Sequence, residues 1–153
     1  MAGPGGPETA ATSAAGPLRE VGLKVTPPRV RVLTQLQQPP RRHWSADELY
    51  QILADEGETI GLATIYRVLS QLAQAGVVRR SSFDATGKAV YEIDDGPHHD
   101  HLVCVRCGGV DEFVDAAIEA RQQHIVAERG FRLVEHRLAL YGLCSACQPP
   151  SAG

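Results

Sequence analysis

Apolar side chains recur every three or four residues over 62–75, which is the spacing of a helix with one buried face. Glycine follows at position 76 and readily ends a helix in the left-handed conformation. The pattern therefore predicts a helix over 62–75 with one apolar and one polar face. The apolar positions are Leu62, Ile65, Leu69 and Leu72. The polar positions are Arg67, Ser70, Gln71 and Gln74, with Thr64 and Tyr66 near the start.

Two further helices are predicted before this one, and a hairpin after it. A Thr-Pro-Pro sequence at 26–28 is typical of a helix start. Ser45 and Glu48 have the spacing of a capping box that opens the next helix. Alternating segments at 77–82 and 88–93 predict two strands, joined by a turn at 84–87.

Three helices and a hairpin are the arrangement of a winged helix, in which the last helix enters the major groove of DNA. The alternative is that 62–75 is an ordinary amphipathic surface helix, which periodicity alone does not exclude.

In the second half, the pattern predicts strands at 98–104 and 109–114, a helix over 115–129 and a third strand over 131–141. The expected fold class is thus α+β, with a winged-helix domain followed by a small α/β domain. Exposed edges of such a short sheet favour pairing with a second copy of the chain.

Domain limits follow from composition. Residues 1–17 are mostly small residues and proline and predict a disordered tail, with a short helix at 18–22. Residues 18–94 form the expected DNA-binding domain and 95–147 the expected dimerisation and metal-binding domain, leaving 148–153 as a tail.

Charge and hydropathy limit the function classes. The net charge of −3 gives no global case for nucleic acid, but six basic residues and one acid lie between positions 19 and 42. No apolar run approaches a membrane span, and the first residues lack the pattern of a secretion signal. We therefore expect a cytoplasmic protein with no membrane association.

All four cysteines fall into two Cys-x-x-Cys pairs, Cys104 with Cys107 and Cys144 with Cys147. Thiolates on two such turns can all reach one ion at about 2.3 Å and complete a closed tetrahedral site. Two redox dithiols or free buried thiols are the alternatives, although redox chemistry needs only one pair. The spacing predicts a structural Zn²⁺ site.

Three histidines and an aspartate directly precede the first cysteine pair. In a strand, His99 and His101 point to one face, whereas His98 and Asp100 point to the other. Nitrogen and carboxylate ligands suit iron, manganese, cobalt or zinc. One strand can therefore supply two separate metal sites; the alternative is a solvated His-rich loop.

Four ordered segments carry a family resemblance: 22–26 (GLKVT), 61–69 (GLATIYRVL), 98–104 (HHDHLVC) and 141–144 (YGLC). Together they resemble the ferric uptake regulator (Fur) family of bacterial metal-sensing repressors, over about residues 18–147. The resemblance implies a homodimer, or a higher oligomer, that binds double-stranded palindromic operator DNA.

The resemblance also implies two sites for metals besides the cysteine site. The regulatory site maps to His43, Glu92, His99, His101 and Glu112. It would bind Fe²⁺, replaceable in vitro by Mn²⁺, Co²⁺ or Zn²⁺. The second site maps to His98, Asp100, Glu119 and His136. This division agrees with the strand-face argument, and His124 is left as an ordinary helical histidine.

For DNA, the resemblance implies that Tyr66 contacts base methyl groups, Arg67 contacts phosphate and Lys24 lies near the minor groove. Thr64 is a weaker candidate. The implied function is an iron-responsive repressor of iron-uptake genes. Zinc-uptake and peroxide-sensing regulators are alternatives within the family, although the zinc branch often uses an additional sensory cysteine and none is spare here.

An enzyme or an adaptor protein would account for fewer of these sequence features than a regulator does. Four thiolates leave no open zinc position for water, and the sequence lacks the His-x-Glu and Pro-Cys-x-x-Cys signature of zinc deaminases. A structural zinc-ribbon adaptor would leave the histidine and carboxylate set without a purpose. We therefore expect a regulator with no catalytic residues.

Overall fold

A computed structural model describes residues 8–83 and 88–150 of the chain. The predicted turn at 84–87 lies outside the described residues, as do 1–7 and 151–153. The chain divides into two compact units. The N-terminal unit is Met1–Ser82 with Gly87–Asp95, and the C-terminal unit is Phe83–Thr86 with Gly96–Gly153.

The N-terminal unit contains four helices and a two-stranded sheet among its described residues. The helices are α1 (Glu8–Glu20), α2 (Pro27–Leu36), α3 (Ala46–Asp55) and α4 (Leu62–Gln74). The strands are β1 (Val78–Phe83) and β2 (Lys88–Ile93). The three predicted helices from Thr26 onward and the hairpin are confirmed, with ends that shift slightly.

Local sequence signals explain where these helices begin and end. The first two positions of α2 are prolines, whose fixed backbone angle suits a helix start. At α3 the capping box is complete, because Ser45 Oγ accepts from the Glu48 N–H at 3.2 Å and the Ser45 N–H donates to Glu48 Oε2 at 2.8 Å. Gly76 has φ +76°, the left-handed conformation expected after α4.

The apolar core of this unit joins all four helices to the hairpin. Helix α4 contributes Ile65, Val68, Leu69 and Leu72, whereas Leu62 is only partly buried at its edge. Burial on this side leaves the polar side of α4 at the surface of the unit.

The prediction of a disordered tail over 1–17 is wrong for residues 8–17, which belong to α1. Ala14, Ala15 and Leu18 are buried in this helix. Alanine has the highest helix propensity, and packing on the core stabilises a segment whose small-residue composition resembles a linker.

The C-terminal unit is built from β3 (Asp100–Cys104), β4 (Val110–Phe113), α5 (Ala116–Glu128) and β5 (Ala139–Gly142). The strand order is β4-β3-β5, with β4 antiparallel and β5 parallel to β3. Helix α5 begins where the Asp115 carboxylate accepts from two backbone N–H groups, at 2.8 and 3.1 Å. The α+β fold class is confirmed.

The predicted strand over 131–141 is wrong for most of its length, since only Ala139–Gly142 forms β5. A strand persists only where it has a hydrogen-bonding partner, and β5 pairs with the four positions from His101 to Cys104. Phe131 and Val134, which lie in the part of the predicted strand that does not form, are 74% and 87% exposed. None of the described helices is long and apolar enough to cross a bilayer.

Candidate metal centres and nucleic-acid interface

The four cysteine sulfurs gather at one end of β3 and β5, and all lie within 4.8 Å of one another. Cys107 Sγ and Cys144 Sγ are 3.8 Å apart. Four sulfurs at about 2.3 Å from one tetrahedral ion would be separated by about 3.8 Å. All four cysteines are free thiols. The donor set and its spacing therefore fit a closed zinc site.

Backbone N–H groups support these sulfurs. The Gly109 N–H donates to Cys107 Sγ and the Cys144 N–H to Cys104 Sγ, each at 3.4 Å. A side chain at Gly109 would approach Cys107 Sγ to 3.3 Å, and Gly108 has φ +73°, so glycine is needed at this turn.

The thiols of this cluster differ in acidity. Hydrogen bonds from the backbone of Cys107 and Cys144 lower the pKa of Cys104 to about 6. Hydrogen bonding to the Cys144 side chain, together with burial, raises the pKa of Cys147 to about 12. Four neighbouring thiolates repel one another, so a cation is needed before all four can be deprotonated together.

A second cluster lies wholly inside the C-terminal unit and combines β3, α5 and the segment before β5. Its members are His98, Asp100, Glu119 and His136, with one ligand atom from each within 4.8 Å of the others. His98 Nε2 is 3.0 Å from Asp100 Oδ1, and His136 Nε2 is 3.1 Å from Glu119 Oε1. The two imidazole centroids are 4.0 Å apart.

Asp100 is the buried centre of this cluster, with 1% exposure. Its Oδ2 is buried and has no hydrogen-bond partner among the described residues. A buried carboxylate oxygen without a donor is costly, and a cation would satisfy it. The chemistry of the donors, two nitrogens and two carboxylates, fits a divalent ion.

The N-terminal unit holds two residues of the predicted regulatory site, His43 and Glu92. His43 Nε2 is 3.2 Å from Glu92 Oε2, and the side chains are 10% and 2% exposed. Their alignment follows from two backbone hydrogen bonds between Trp44 and Tyr91, at 3.0 and 2.8 Å. In antiparallel pairing the next residues, 43 and 92, stand beside each other.

The C-terminal unit holds the other three residues, His99, His101 and Glu112. His101 lies directly opposite Glu112 in the β3–β4 pairing. His99 Nε2 is 3.3 Å from Glu112 Oε1, and the two imidazole centroids are 5.0 Å apart. Each unit thus contains its own preformed group of imidazole and carboxylate ligands.

Helix α4 presents the predicted DNA contacts on its polar side. Tyr66 is 45% exposed and Arg67 is exposed, whereas Thr64 is half-buried at the margin. The helix contains neither aspartate nor glutamate. A face with arginine, tyrosine and amides and without acids is compatible with phosphate and base edges.

Lys24 is exposed in the loop before α2. Arg29, a residue that no sequence motif indicates, connects this loop to α4 by hydrogen bonds. Arg29 Nη1 donates to the Lys24 carbonyl at 2.8 Å. Arg29 Nε and Nη2 donate to Gln71 Oε1 at 3.2 and 3.0 Å. The only sequence signal for this contact is the local excess of basic residues.

Arg41 is a second functional candidate that sequence reasoning missed as an individual residue. Its guanidinium contacts the His43 carbonyl, the Trp44 ring and the Glu48 carboxylate. The spacing of the capping box indicates Glu48 as a cap residue but gives no sign of its arginine partner.

His124 is not part of a candidate site. Its Nε2 lies 3.2 Å from Glu128 Oε1, one helical turn away, and it belongs to none of the metal-ligand clusters of the described residues.

The chain matches the model of the Ferric uptake regulator family over residues 20–141. The ferric uptake regulation protein of Neisseria gonorrhoeae is 53% identical over 131 residues, which cover 86% of this chain and 90% of that protein.

Solved structures show the same likeness. The Vibrio cholerae ferric uptake regulator, described with DNA-binding domains, gives a TM-score of 0.78 at 54% identity, over 83% of this chain and 96% of that one. The Pseudomonas aeruginosa ferric uptake regulator, solved with manganese, gives a TM-score of 0.71 at 51% identity, over 86% of this chain and 98% of that one.

Proposed function

Because the chain belongs to the ferric uptake regulator family, we propose that it represses iron-uptake genes by binding palindromic operator DNA as a metal-loaded homodimer. Its relatives are transcription regulators, so the chain is a regulator and not an enzyme. The observation that carries the proposal is the combination, within one unit, of a buried His43–Glu92 pair and an exposed, acid-free face on α4.

For the cysteine cluster we propose permanently bound Zn²⁺. Thiolates favour zinc, and the two Cys-x-x-Cys turns belong to segments 40 residues apart, from Cys104 to Cys144. Bound zinc supplies positive charge that holds all four sulfurs as thiolates. Their role is structural, because the four side chains fill every coordination position of a tetrahedral ion and leave none open for water or substrate.

For the regulatory site we propose that His43 and Glu92 share Fe²⁺ with His99, His101 and Glu112. Support comes from the two groups of ligands taken separately, since each is already assembled within its own unit. The ligand types also accept Mn²⁺, Co²⁺ or Zn²⁺. A bound cation supplies charge that neutralises the two carboxylates, which lowers the repulsion between this protein and phosphate.

The proposed consequence concerns the recognition helices. When ligands from each of the two units bind the same ion, the ion restricts how one unit moves against the other. In a dimer this sets one separation for the two copies of α4, so a two-fold palindrome with matching half-sites is preferred. Tyr66 and Arg67 would then contact bases and phosphate in the major groove, with Thr64 at the edge and Lys24 near the minor groove.

The proposed homodimer is supported by the apolar surface of the C-terminal unit. Helix α5 has no buried residue, and the unit exposes nine large apolar side chains among its described residues. They are Leu102, Val105, Val114, Ile125, Phe131, Val134, Leu140, Tyr141 and Leu143. So much apolar surface on a small unit is typical of an interface.

The second cluster would hold another divalent ion and stabilise the contact of α5 with β3.

We propose a cytoplasmic location, where the operator DNA is. All four cysteines belong to the sulfur cluster, so none is available as a sensory ligand of the kind often used by zinc-uptake regulators, which favours iron.

The test is a titration of operator DNA with wild type, His43→Ala and His124→Ala at fixed salt, with and without Mn²⁺. We expect Mn²⁺ to raise the affinity of wild type by about 5- to 150-fold, the usual range of coupling between two sites. His43→Ala should lose this gain, and the control His124→Ala, which lies outside the ligand clusters found among the described residues, should keep it. Full metal response in His43→Ala would exclude the proposed regulatory site.

A further inference from the structure

Arg41 makes three contacts with three parts of its planar guanidinium. Nε donates to the His43 carbonyl at 2.9 Å, and Nη2 is paired with Glu48 Oε1. The central carbon lies 4.4 Å from the centre of the Trp44 ring. The guanidinium of Arg41 is therefore fixed by three contacts, one of which is with the backbone of His43.

The partners of Arg41 are themselves fixed. Trp44 is held to β2 by the two backbone hydrogen bonds with Tyr91, and the residue is 6% exposed. Glu48 uses its other carboxylate oxygen to accept from the Ser45 N–H, which closes the cap of α3. Arg41 thus connects the peptide after His43 to two rigid elements, a helix start and a strand.

From these contacts, and resting on the proposed function, we infer that Arg41 is a positioning residue for the metal ligand His43. The direction of an imidazole depends on its backbone, and the hydrogen bond to the His43 carbonyl restrains rotation of that peptide plane. With the peptide held, His43 Nε2 stays beside Glu92 before any ion arrives. Arg41 itself touches no proposed ligand atom.

Electrostatics alone predicts the opposite effect. Arg41 carries a positive charge close to a proposed cation site, so its removal should favour cation binding if charge were its main influence. Positioning predicts that removal weakens binding, because His43 must then be ordered when the ion binds. The sign of the change therefore separates the two roles.

The stability of the fold gives a second distinction. The side chains of Arg41 and Glu48 are 47% and 44% exposed, and exposed ion pairs contribute little to stability. Lysine could keep the ion pair but cannot donate from a planar fork to two acceptors while stacking on a ring. Arg41→Lys therefore keeps the charge and loses the geometry.

The experiment is a Mn²⁺ titration of the full-length, zinc-loaded protein, followed by fluorescence of Trp44, the only tryptophan in the chain. Wild type, Arg41→Ala, Arg41→Lys and Arg42→Ala are compared. Arg42→Ala is the matched control, since it removes the same charge from the next residue, which pairs with Asp95 at 3.1 Å.

We expect the Mn²⁺ concentration at half-saturation to rise about tenfold in Arg41→Ala, the lower end of the effect of residues that orient metal ligands. Arg41→Lys should lie nearer to Arg41→Ala than to wild type, and Arg42→Ala should bind as wild type or more tightly. The thermal midpoint of the zinc-loaded protein without Mn²⁺, and its zinc content, should be the same in all four proteins.

A half-saturation point for Arg41→Ala within twofold of wild type, or wild-type affinity in Arg41→Lys, would overturn the inference. If Arg41→Ala does not fold, the lysine variant decides alone. His43→Ala separates this failure from that of the proposed function. If His43→Ala titrates like wild type, the regulatory site itself is wrong; if it loses the transition while Arg41→Ala keeps it, only the inference about Arg41 falls.

Discussion

Replacing Cys104 by serine should unfold the C-terminal unit and leave the N-terminal unit folded. The two units differ greatly in apolar burial. Among its described residues, the N-terminal unit has a core cluster of fifteen buried apolar residues. Among the described residues of the C-terminal unit, the buried apolar side chains are Val103 and Cys104, with 2% and 4% exposure.

Within one protomer, the magnitudes favour the metal as the main stabilising element. Full burial of an apolar side chain such as Val103 contributes about 1.5–3 kcal/mol. The sulfur of Cys104 already belongs to the metal cluster. Structural zinc in small zinc-dependent domains contributes about 10–16 kcal/mol at neutral pH. Serine is a poor zinc ligand, and the loss of one of four sulfurs should therefore remove the larger contribution.

Amide hydrogen exchange measured by mass spectrometry would test this. Peptides from β3, β4 and α5 should exchange rapidly in Cys104→Ser, while peptides from α2 to α4 and the fluorescence of Trp44 remain as in wild type. Zinc content and dimerisation should fall together. Ser145→Ala, an exposed change inside the second Cys-x-x-Cys turn, is the control. Wild-type protection of β3 and α5 in a zinc-free Cys104→Ser protein would refute the reasoning.

Four other changes should have separable effects. Arg67→Ala should weaken binding to operator and to random DNA alike and reduce the slope of log affinity against log salt by about 1, as measured by fluorescence anisotropy with Gln74→Ala as control. Asp100→Asn should remove one equivalent of bound Mn²⁺ in equilibrium dialysis and leave the zinc content unchanged; retention of every equivalent would contradict the second site. Ser45→Ala should lower the unfolding free energy of the N-terminal unit by about 1 kcal/mol in urea, because the Glu48 N–H loses its acceptor. Burial raises the pKa of Glu48, but hydrogen bonds from the Ser45 backbone and other donors outweigh it and hold the pKa below the ordinary 4.5. The carboxylate therefore stabilises the fold above about pH 4.5, and the advantage of wild type over Glu48→Gln should disappear as the pH falls through the lowered value.

Helices with strong local signals were predictable. The capping box at Ser45 and the apolar seam of α4 depend on residues three or four positions apart, and such residues are neighbours in any helix. Helix α1 was missed because its small-residue composition is also that of a linker. Its burial through Leu18 depends on α2 and the rest of the core, which no local pattern shows.

Alternation along β3 is enough to separate His98 and Asp100 from His99 and His101, since a strand has two faces. It does not identify the partners of each pair. Glu119 and His136 reach Asp100 and His98 from α5 and from the segment before β5, through contacts between residues far apart in sequence. The same limit explains the wrong strand prediction at 131–138, a segment that alternates but lies outside the pairing of β3 with β5.

The sequence by itself determined the elements with local signals, the cysteine spacing, the two-sided histidine strand and the family, because each depends on residue type and short separations along the chain. Only the tertiary structure decided that the sulfurs lie 3.8 Å apart at Cys107 and Cys144, that Asp100 is buried, and that His43 stands beside Glu92. It also decided the contacts of Arg41, which join a loop, a helix cap and a strand. These properties depend on strand pairing and packing between distant segments, and burial is set by what covers a residue, which local sequence does not specify.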